Sequence, residues 1–158
     1  MAKQPGHGTI LVTGTNGGLG SAIVKHIVSS PDLCQFHGLY TVRNTEQPSP
    51  ALDSALKQAQ SAGHAYDRIG LDLAKLENVR AVAASINNRV AEGSLPRIRA
   101  LILNAGFQEQ NSQTFTDDGF DMSFQVNYLS HWLLVVLLLQ SMDRERGRVV
   151  VVGSSGHE

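Results

Sequence analysis

The chain has 158 residues, of which 42% are hydrophobic and 17% charged, and its formal net charge is −1. This length and composition predict one soluble globular domain that covers residues 1–158. Because the charge is nearly balanced and no basic block occurs, nucleic acid and anionic membranes are not expected as partners. The longest apolar run, residues 132–139, is far shorter than the ~20 residues that span a bilayer.

Cysteine content and the N-terminus bear on the compartment. Cys34 is the only cysteine, so no intramolecular disulfide can form, which favours a reducing compartment. A small apolar role in packing is favoured for Cys34 over a reactive thiol. The first six residues lack the apolar core of a signal sequence. We therefore expect a cytoplasmic protein.

Short strand-like runs alternate with helical stretches along the chain. Strands are predicted at 9–13, 38–42, within 65–73, at 98–103 and at 148–152, and helices at 21–30, 51–62, 76–90 and 117–142. Pro31 ends the first helix, and Asp117 and Asp118 are expected to cap the fourth. This alternation predicts an α/β fold with a Rossmann-type doubly wound parallel sheet of five strands. The first strand should lie at its centre, with ligands at the carboxyl ends of the strands.

A glycine-rich turn joins the first strand to the first helix. Residues 13–20 read Thr-Gly-Thr-Asn-Gly-Gly-Leu-Gly. Such a turn lets backbone N–H groups approach a pyrophosphate, and the helix N-terminus adds partial positive charge. The place of the turn between a buried strand and a helix favours a dinucleotide site over an ordinary glycine-rich turn. The predicted cofactor-binding residues here are Gly14, Thr15, Asn16, Gly18, Leu19 and Gly20.

The spacing Thr-Gly-x-x-x-Gly-x-Gly resembles the cofactor turn of short-chain dehydrogenases/reductases, and later motifs extend the resemblance over essentially all 158 residues. Residues 104–106, Asn-Ala-Gly, resemble the motif that stabilises the central sheet of this family and lines its cofactor cleft. Residues 71–74, Leu-Asp-Leu-Ala, resemble the segment that meets the adenine ring. The resemblance therefore assigns cofactor contacts to Asp72, Leu73, Asn104, Ala105 and Gly106. For Asp72, a helix-capping role remains open beside the adenine contact.

Arg43 follows the second predicted strand, at the place where NAD-preferring members of the family carry an acidic residue for the ribose. The guanidinium fork of arginine suits a 2′-phosphate, so the resemblance implies NADP as the cofactor, with NAD as the less favoured alternative. A solvated surface arginine is the competing interpretation. Gly17 stands where many NADP-binding relatives carry a second basic residue, so the chain departs from their pattern at this position.

Residues 118–134 resemble the fourth helix of retinol-dehydrogenase-like members. Asn127 takes the place of the active-site asparagine, which in the family holds a water that links the catalytic lysine to a proton path. His131 is expected to pack rather than to catalyse. At the end of the fifth strand, Ser154 matches the catalytic serine, with Ser155 as a less favoured candidate. No metal site is predicted.

The tyrosine and lysine of the family's Tyr-x-x-x-Lys pair do not occur at that spacing anywhere in the 158 residues. The resemblance therefore implies the N-terminal part of a complete member, truncated at its C-terminus. The first hypothesis is an NADP-dependent oxidoreductase for hydride transfer to or from a small-molecule alcohol or carbonyl, in specialised metabolism. The alternative is a catalytically inactive remnant that retains at most nucleotide binding. A regulatory partner that completes another chain's fold is a third hypothesis, without a supporting feature.

The fourth helix and the fifth strand also predict properties of the surface. In the family the fourth helix forms part of the usual dimer face, so a homodimer through this helix is expected. Residues 132–139 are apolar nearly all round, which predicts burial on several sides. The fifth strand has no helix after it in this sequence and is expected to leave an open sheet edge.

Overall fold

The computed structural model describes residues 7–110 and 112–154. Five parallel strands form one sheet in the order β3-β2-β1-β4-β5. The strands are β1 (Thr9–Val12), β2 (His37–Val42), β3 (Tyr66–Gly70), β4 (Ile98–Leu103) and β5 (Arg148–Val151). The predicted Rossmann-type doubly wound sheet with its first strand at the centre is confirmed.

Four helices cover the sheet: α1 (Gly18–Ser29), α2 (Pro50–Ser61), α3 (Leu76–Ala91) and a long helix, α4 (Met122–Ser141). α1 and α2 lie on one face, where they cover alternate strand residues such as Ile10 and Tyr40. α3 and α4 lie on the other face, over Leu11 and Leu101. Every residue of β1 is buried, as a continuous apolar run between two helical layers requires.

The start of α4 differs from the prediction that Asp117 and Asp118 cap it. Asp121 is the cap, and its Oδ1 accepts a hydrogen bond from the N–H of Phe124 at 2.8 Å. Residues 116–119 form a turn in which Gly119 has φ 84°, so the backbone is not yet helical at the two earlier aspartates. Asp118 instead accepts from the N–H of Leu76, the first residue of α3, at 2.8 Å.

α4 is not regular along its length. It begins as a short α-helical turn, continues as a π-helical segment at Gln125–Leu129, returns to α-helix at Ser130–Leu138 and ends in a 3₁₀ turn at Leu139–Ser141. By length and composition alone, α4 could cross a membrane, although the core helix of a soluble protein meets the same criterion. The apolar run at 132–139, which alone is too short to span a bilayer, is therefore only part of a longer apolar helix.

The predicted burial of residues 132–139 on several sides is wrong for the described part of the chain. Leu134 and Leu138 are buried in the layer with α3. Trp132 is 55% exposed and Leu139 57% exposed, because no described segment packs on the outer side of α4. Among residues 7–110 and 112–154, β5 pairs with β4 and has no second partner strand.

Candidate functional site

The candidate site lies at the carboxyl edge of the sheet, where the glycine turn leaves β1. Gly14 has φ 68°, and a Cβ at this position would lie 2.7 Å from Cα of Ala105. A Cβ on Gly20 would overlap the carbonyl oxygen of Gly14. Both glycines are therefore required by the turn itself, which packs closely on the end of β4.

Gly18 differs from those two glycines. A Cβ on Gly18 would meet no other segment of the described chain within 4 Å. α1 begins here, and Gly17 at its cap position has no side chain that could cap the first-turn N–H groups. The first turn carries no acidic residue, and Leu19 is 58% exposed. An open backbone approach at a positively polarised helix end fits the pyrophosphate of a dinucleotide.

Thr15 and Asn16 occupy different environments within the turn. Thr15 is fully buried, and both its N–H and its hydroxyl donate to the carbonyl oxygen of Thr41 at 2.9 Å. Its side chain therefore attaches the turn to β2. Asn16 is exposed at the edge, and its carbonyl oxygen accepts from the hydroxyl of Ser49 at 3.5 Å.

Thr13 joins the end of β1 to the end of β4. Its Oγ1 accepts from the backbone N–H groups of Asn104 at 2.9 Å and Ala105 at 3.0 Å. The side-chain amide of Asn104 donates to the carbonyl oxygens of Thr13 at 3.0 Å and Gly14 at 3.2 Å. The predicted sheet-stabilising role of the Asn-Ala-Gly motif agrees with these bonds.

His131 of α4 completes this network. Its Nε2 lies 3.0 Å from Oγ1 of Thr13. Because that hydroxyl already accepts two N–H groups, its own hydrogen is donated to Nε2, which leaves the proton of the ring on Nδ1. Nδ1 lies 3.4 Å from the carbonyl oxygen of Asn127. Burial lowers the pKa of His131, so the neutral ring matches this pattern. Sequence reasoning expected packing at His131 but missed its partner Thr13.

Asn127 lies in the π-helical segment of α4, a type of distortion that is common at functional sites. Its side-chain amide pairs with the backbone of Phe107: Oδ1 accepts from the N–H at 2.7 Å and Nδ2 donates to the carbonyl oxygen at 2.8 Å. Phe107 directly follows Gly106. Asn127 therefore fixes the loop that leaves β4, next to the Asn-Ala-Gly motif.

Arg43 and Asp72 lie beyond the ends of β2 and β3. Arg43 is exposed directly after β2. Asp72 is half-buried, and its Oδ1 accepts from the N–H of Ala74 at 3.1 Å. The cap position of α3 belongs to Lys75, so the alternative in which Asp72 caps the helix is wrong.

The neighbouring Leu73 is buried, and its carbonyl oxygen accepts from the hydroxyl of Ser130 in α4 at 2.6 Å. Gln125 of α4 also donates to this carbonyl, at 3.4 Å. The loop after β3 is therefore joined to the helix that carries Asn127.

Ser154 is exposed beyond the end of β5. The N–H of Val152 donates to the carbonyl oxygen of Leu103 at 3.0 Å, so the chain after β5 runs beside the end of β4. Ser155 lies outside the described residues.

All five strands are parallel, so the predicted residues that follow their carboxyl ends gather at one edge of the sheet. Asn127 of α4 meets this edge through its hydrogen bonds with Phe107. Within the described ranges, no group of three His, Cys, Asp or Glu residues could hold a metal ion.

The fold and the glycine turn define a Rossmann-type protein, and sequence comparison identifies its family. The model of the short chain dehydrogenase family matches residues 8–157. The chain therefore belongs to the short-chain dehydrogenase family.

Two curated relatives illustrate the relationship. The chain is 55% identical over 152 residues to the short-chain dehydrogenase iccH of Talaromyces variabilis, an alignment that covers 96% of this chain and 42% of that protein. It is 35% identical over 152 residues to protochlorophyllide reductase A of Hordeum vulgare, covering 93% of this chain and 36% of that protein. The chain thus spans less than half the length of these relatives.

Solved structures share the fold. A metagenomic short-chain oxidoreductase in complex with NADP superposes with a TM-score of 0.72 at 22% identity, covering 96% of this chain and 64% of that chain. A xylitol dehydrogenase with bound NAD⁺ superposes with a TM-score of 0.67 at 21% identity, covering 96% and 55%. Similar folds therefore accompany both cofactors.

Proposed function

We propose that this chain provides the cofactor-binding part of an NADP-dependent oxidoreductase that acts on an alcohol or carbonyl substrate. The observation that carries the proposal is the open backbone at Gly18. The packing of the chain requires glycine at Gly14 and Gly20 but not at Gly18. A phosphate that approaches the backbone closely gives a reason for glycine at that third position.

The other predicted cofactor residues surround this point at the carboxyl edge. We assign the pyrophosphate to the turn through Asn16, Gly18 and Leu19, and the 2′-phosphate to Arg43. Arg43 is exposed and directly follows β2, as a side chain that reaches a ribose phosphate must be. The assignment of NADP rather than NAD depends on this guanidinium, because both cofactors occur with this fold.

The remaining contacts follow from the family resemblance. Asp72 and Leu73 would border the adenine, and Asn104, Ala105 and Gly106 would line the cleft between β1 and β4. In this proposal, the hydroxyl of Ser154 donates to the substrate oxygen and polarises it, and Asn127 supports proton transfer. The nicotinamide cofactor supplies or accepts the hydride when it is bound. The tyrosine and lysine would have to come from sequence outside these 158 residues.

The proposed substrate class follows from the family resemblance, and the proposed compartment from the cysteine content. The resemblance to retinol-dehydrogenase-like members favours an apolar alcohol or ketone. The single, half-buried Cys34 agrees with a reducing compartment such as the cytoplasm.

We also propose a homodimer through α4. Its outer side exposes an apolar stripe with one residue every four positions: Phe124, Tyr128, Trp132 and Val136. Phe120, which precedes the helix, extends the stripe, since its ring lies 6.4 Å from that of Phe124. The rings of Phe124 and Tyr128 lie 5.6 Å apart. Large exposed apolar patches of this kind mark interfaces, and the family's usual dimer face includes this helix.

The test is calorimetric titration of the 158-residue chain with NADPH and with NADH. We expect tighter binding of NADPH, and Arg43→Ala should remove roughly 1.5–3 kcal/mol of that preference by deleting a charge-assisted contact. Arg144→Ala, which changes another exposed arginine far along the chain, is the matched control. An unchanged preference in Arg43→Ala would refute the role of Arg43, and binding of neither nucleotide would refute the proposed function.

A further inference from the structure

The segment between β2 and α2, residues 43–49, begins with Arg43. Arg68 of β3 binds this segment through hydrogen bonds. Nη2 of Arg68 donates to the carbonyl oxygen of Gln47 at 3.0 Å, and Nη1 donates to Oδ1 of Asp53 at 3.1 Å. One guanidinium thus binds the loop and the first turns of α2 together. The side chain of Arg68 is 22% exposed and that of Asp53 41%, so water screens this ion pair in part.

The chain of contacts continues from Asp53 to the glycine turn. Oδ2 of Asp53 accepts from the N–H of Ser49 at 3.2 Å. Ser49 occupies the cap position of α2 and is buried. A serine at this position ordinarily accepts a hydrogen bond from the first turn of its helix. Within the described chain Ser49 makes no such bond, and its hydroxyl donates instead to the carbonyl oxygen of Asn16, at 3.5 Å.

We infer that Arg68, Asp53 and Ser49 form a tether that positions Arg43 relative to the glycine turn and thereby sets the preference for NADPH over NADH. This inference rests on the proposed function. The turn and Arg43 must engage two phosphate groups of one ligand at the same time. A shift of segment 43–49 against Asn16 therefore weakens the contact to the 2′-phosphate, which NADH lacks, and leaves the pyrophosphate contact intact. The three tether residues are positioning residues and do not themselves touch the cofactor.

The experiment measures dissociation constants of NADPH and NADH for the 158-residue chain and its Arg68→Met variant. We expect Arg68→Met to reduce the NADPH/NADH preference by at least about threefold, as for coupled residues of one hydrogen-bond network, while the affinity for NADH stays unchanged. Arg68→Lys, which keeps the charge but not the fork, should retain part of the preference. In an Arg43→Ala background, Arg68→Met should have no further effect on the preference.

Arg89→Met is the matched control, because Arg89 pairs with Asp67, the neighbouring residue of β3, at 2.7 Å on the other side of the sheet. This variant also loses an arginine–aspartate pair and should keep the preference. Ser49→Ala, which removes one hydroxyl, provides the same measurement if Arg68→Met does not fold. Binding of NADPH with an undiminished preference in Arg68→Met and Ser49→Ala would overturn the tether and leave the proposed function standing. Equal losses for both nucleotides would also overturn the tether. Failure of the unmodified chain to bind either nucleotide would overturn both.

Discussion

The two halves of the sheet differ in how completely the described residues bury their side chains. Around β1 and β2, apolar side chains are buried on both faces of the sheet, under α1 and α2 on one face and under α3 and α4 on the other. Around β5 and the outer side of α4, apolar side chains face outward, and Val151 is 72% exposed. The described residues therefore bury the half of the sheet around β1 and β2 (the β1–β2 half) more completely than the half around β5 (the β5 half).

Tyr40 shows how closely the β1–β2 half is packed. Its fully buried hydroxyl donates to Nε2 of His64 at 2.8 Å, and Nδ1 of His64 donates to the carbonyl oxygen of Cys34 at 2.9 Å. Burial raises the pKa of Tyr40 and lowers the pKa of His64. Gly38 has no Cβ because the ring of Tyr40 occupies that space. Both polar side chains are therefore neutral and satisfied inside the layer.

The largest expected effect concerns catalysis in the β5 half. The 158-residue chain should not oxidise NADPH with aldehydes or ketones at an enzymatic rate, because a positioned acid–base group contributes about 10²–10⁴-fold and the family's tyrosine does not occur here. The assay is NADPH absorbance with a panel of carbonyl compounds. Robust turnover that collapses in Ser154→Ala would contradict this prediction.

Two glycine substitutions separate packing from nucleotide binding in the glycine turn. Gly20→Ala should lower the free energy of unfolding by about 1–3 kcal/mol or more, because its Cβ meets backbone that cannot move aside. Gly18→Ala should change stability by less than about 0.5 kcal/mol and still weaken NADPH binding. Urea denaturation and calorimetry measure both quantities. Unchanged NADPH affinity in Gly18→Ala would contradict the close approach of a phosphate to Gly18, on which the proposed function depends.

Substitutions on the two sides of α4 test the exposed stripe. Trp132→Gln should reduce self-association in sedimentation velocity and change the free energy of unfolding by less than about 0.5 kcal/mol. Leu134→Ala removes a fully buried side chain and should cost about 2–5 kcal/mol. If Trp132→Gln destabilises the chain as strongly as Leu134→Ala, the outer side of α4 is packed within the chain itself and the comparison fails.

A more gradual effect is a pH dependence of the stability that arises from His64 and His131. Both pKa values are lowered by burial in the folded chain, so the unfolded chain binds protons first as pH falls. Stability should therefore be complete well above pH ~6.5 and decrease as pH falls below it, by at most about 1.4 kcal/mol per pH unit for each histidine. Urea midpoints between pH 7.5 and 5.5 measure this, with His131→Gln expected to flatten the slope. Stability that rises as pH falls would contradict the neutral assignment.

Local sequence patterns predicted the helices and strands more completely than the contacts between them. The limits of β4 follow from its apolar residues, and the glycine turn from its spacing. The cap of α4 could not be chosen among three nearby aspartates, because the turn at 116–119 decides it. The bond between Thr13 and His131 joins residues 118 positions apart, which no local pattern reveals. Nor could the sequence distinguish Gly18 from Gly14 and Gly20, since the difference lies in what packs against each.

The most direct test is a two-dimensional amide NMR spectrum of the ¹⁵N-labelled chain, recorded with and without NADPH. We expect the amide resonances of Gly17, Gly18 and Leu19 to shift strongly and that of Arg43 to shift as well. The resonances of β5 and the indole of Trp132 should stay in place and serve as the internal control. Shifts confined to the β5 half, or no shifts at saturating NADPH, would contradict a nucleotide site at the glycine turn.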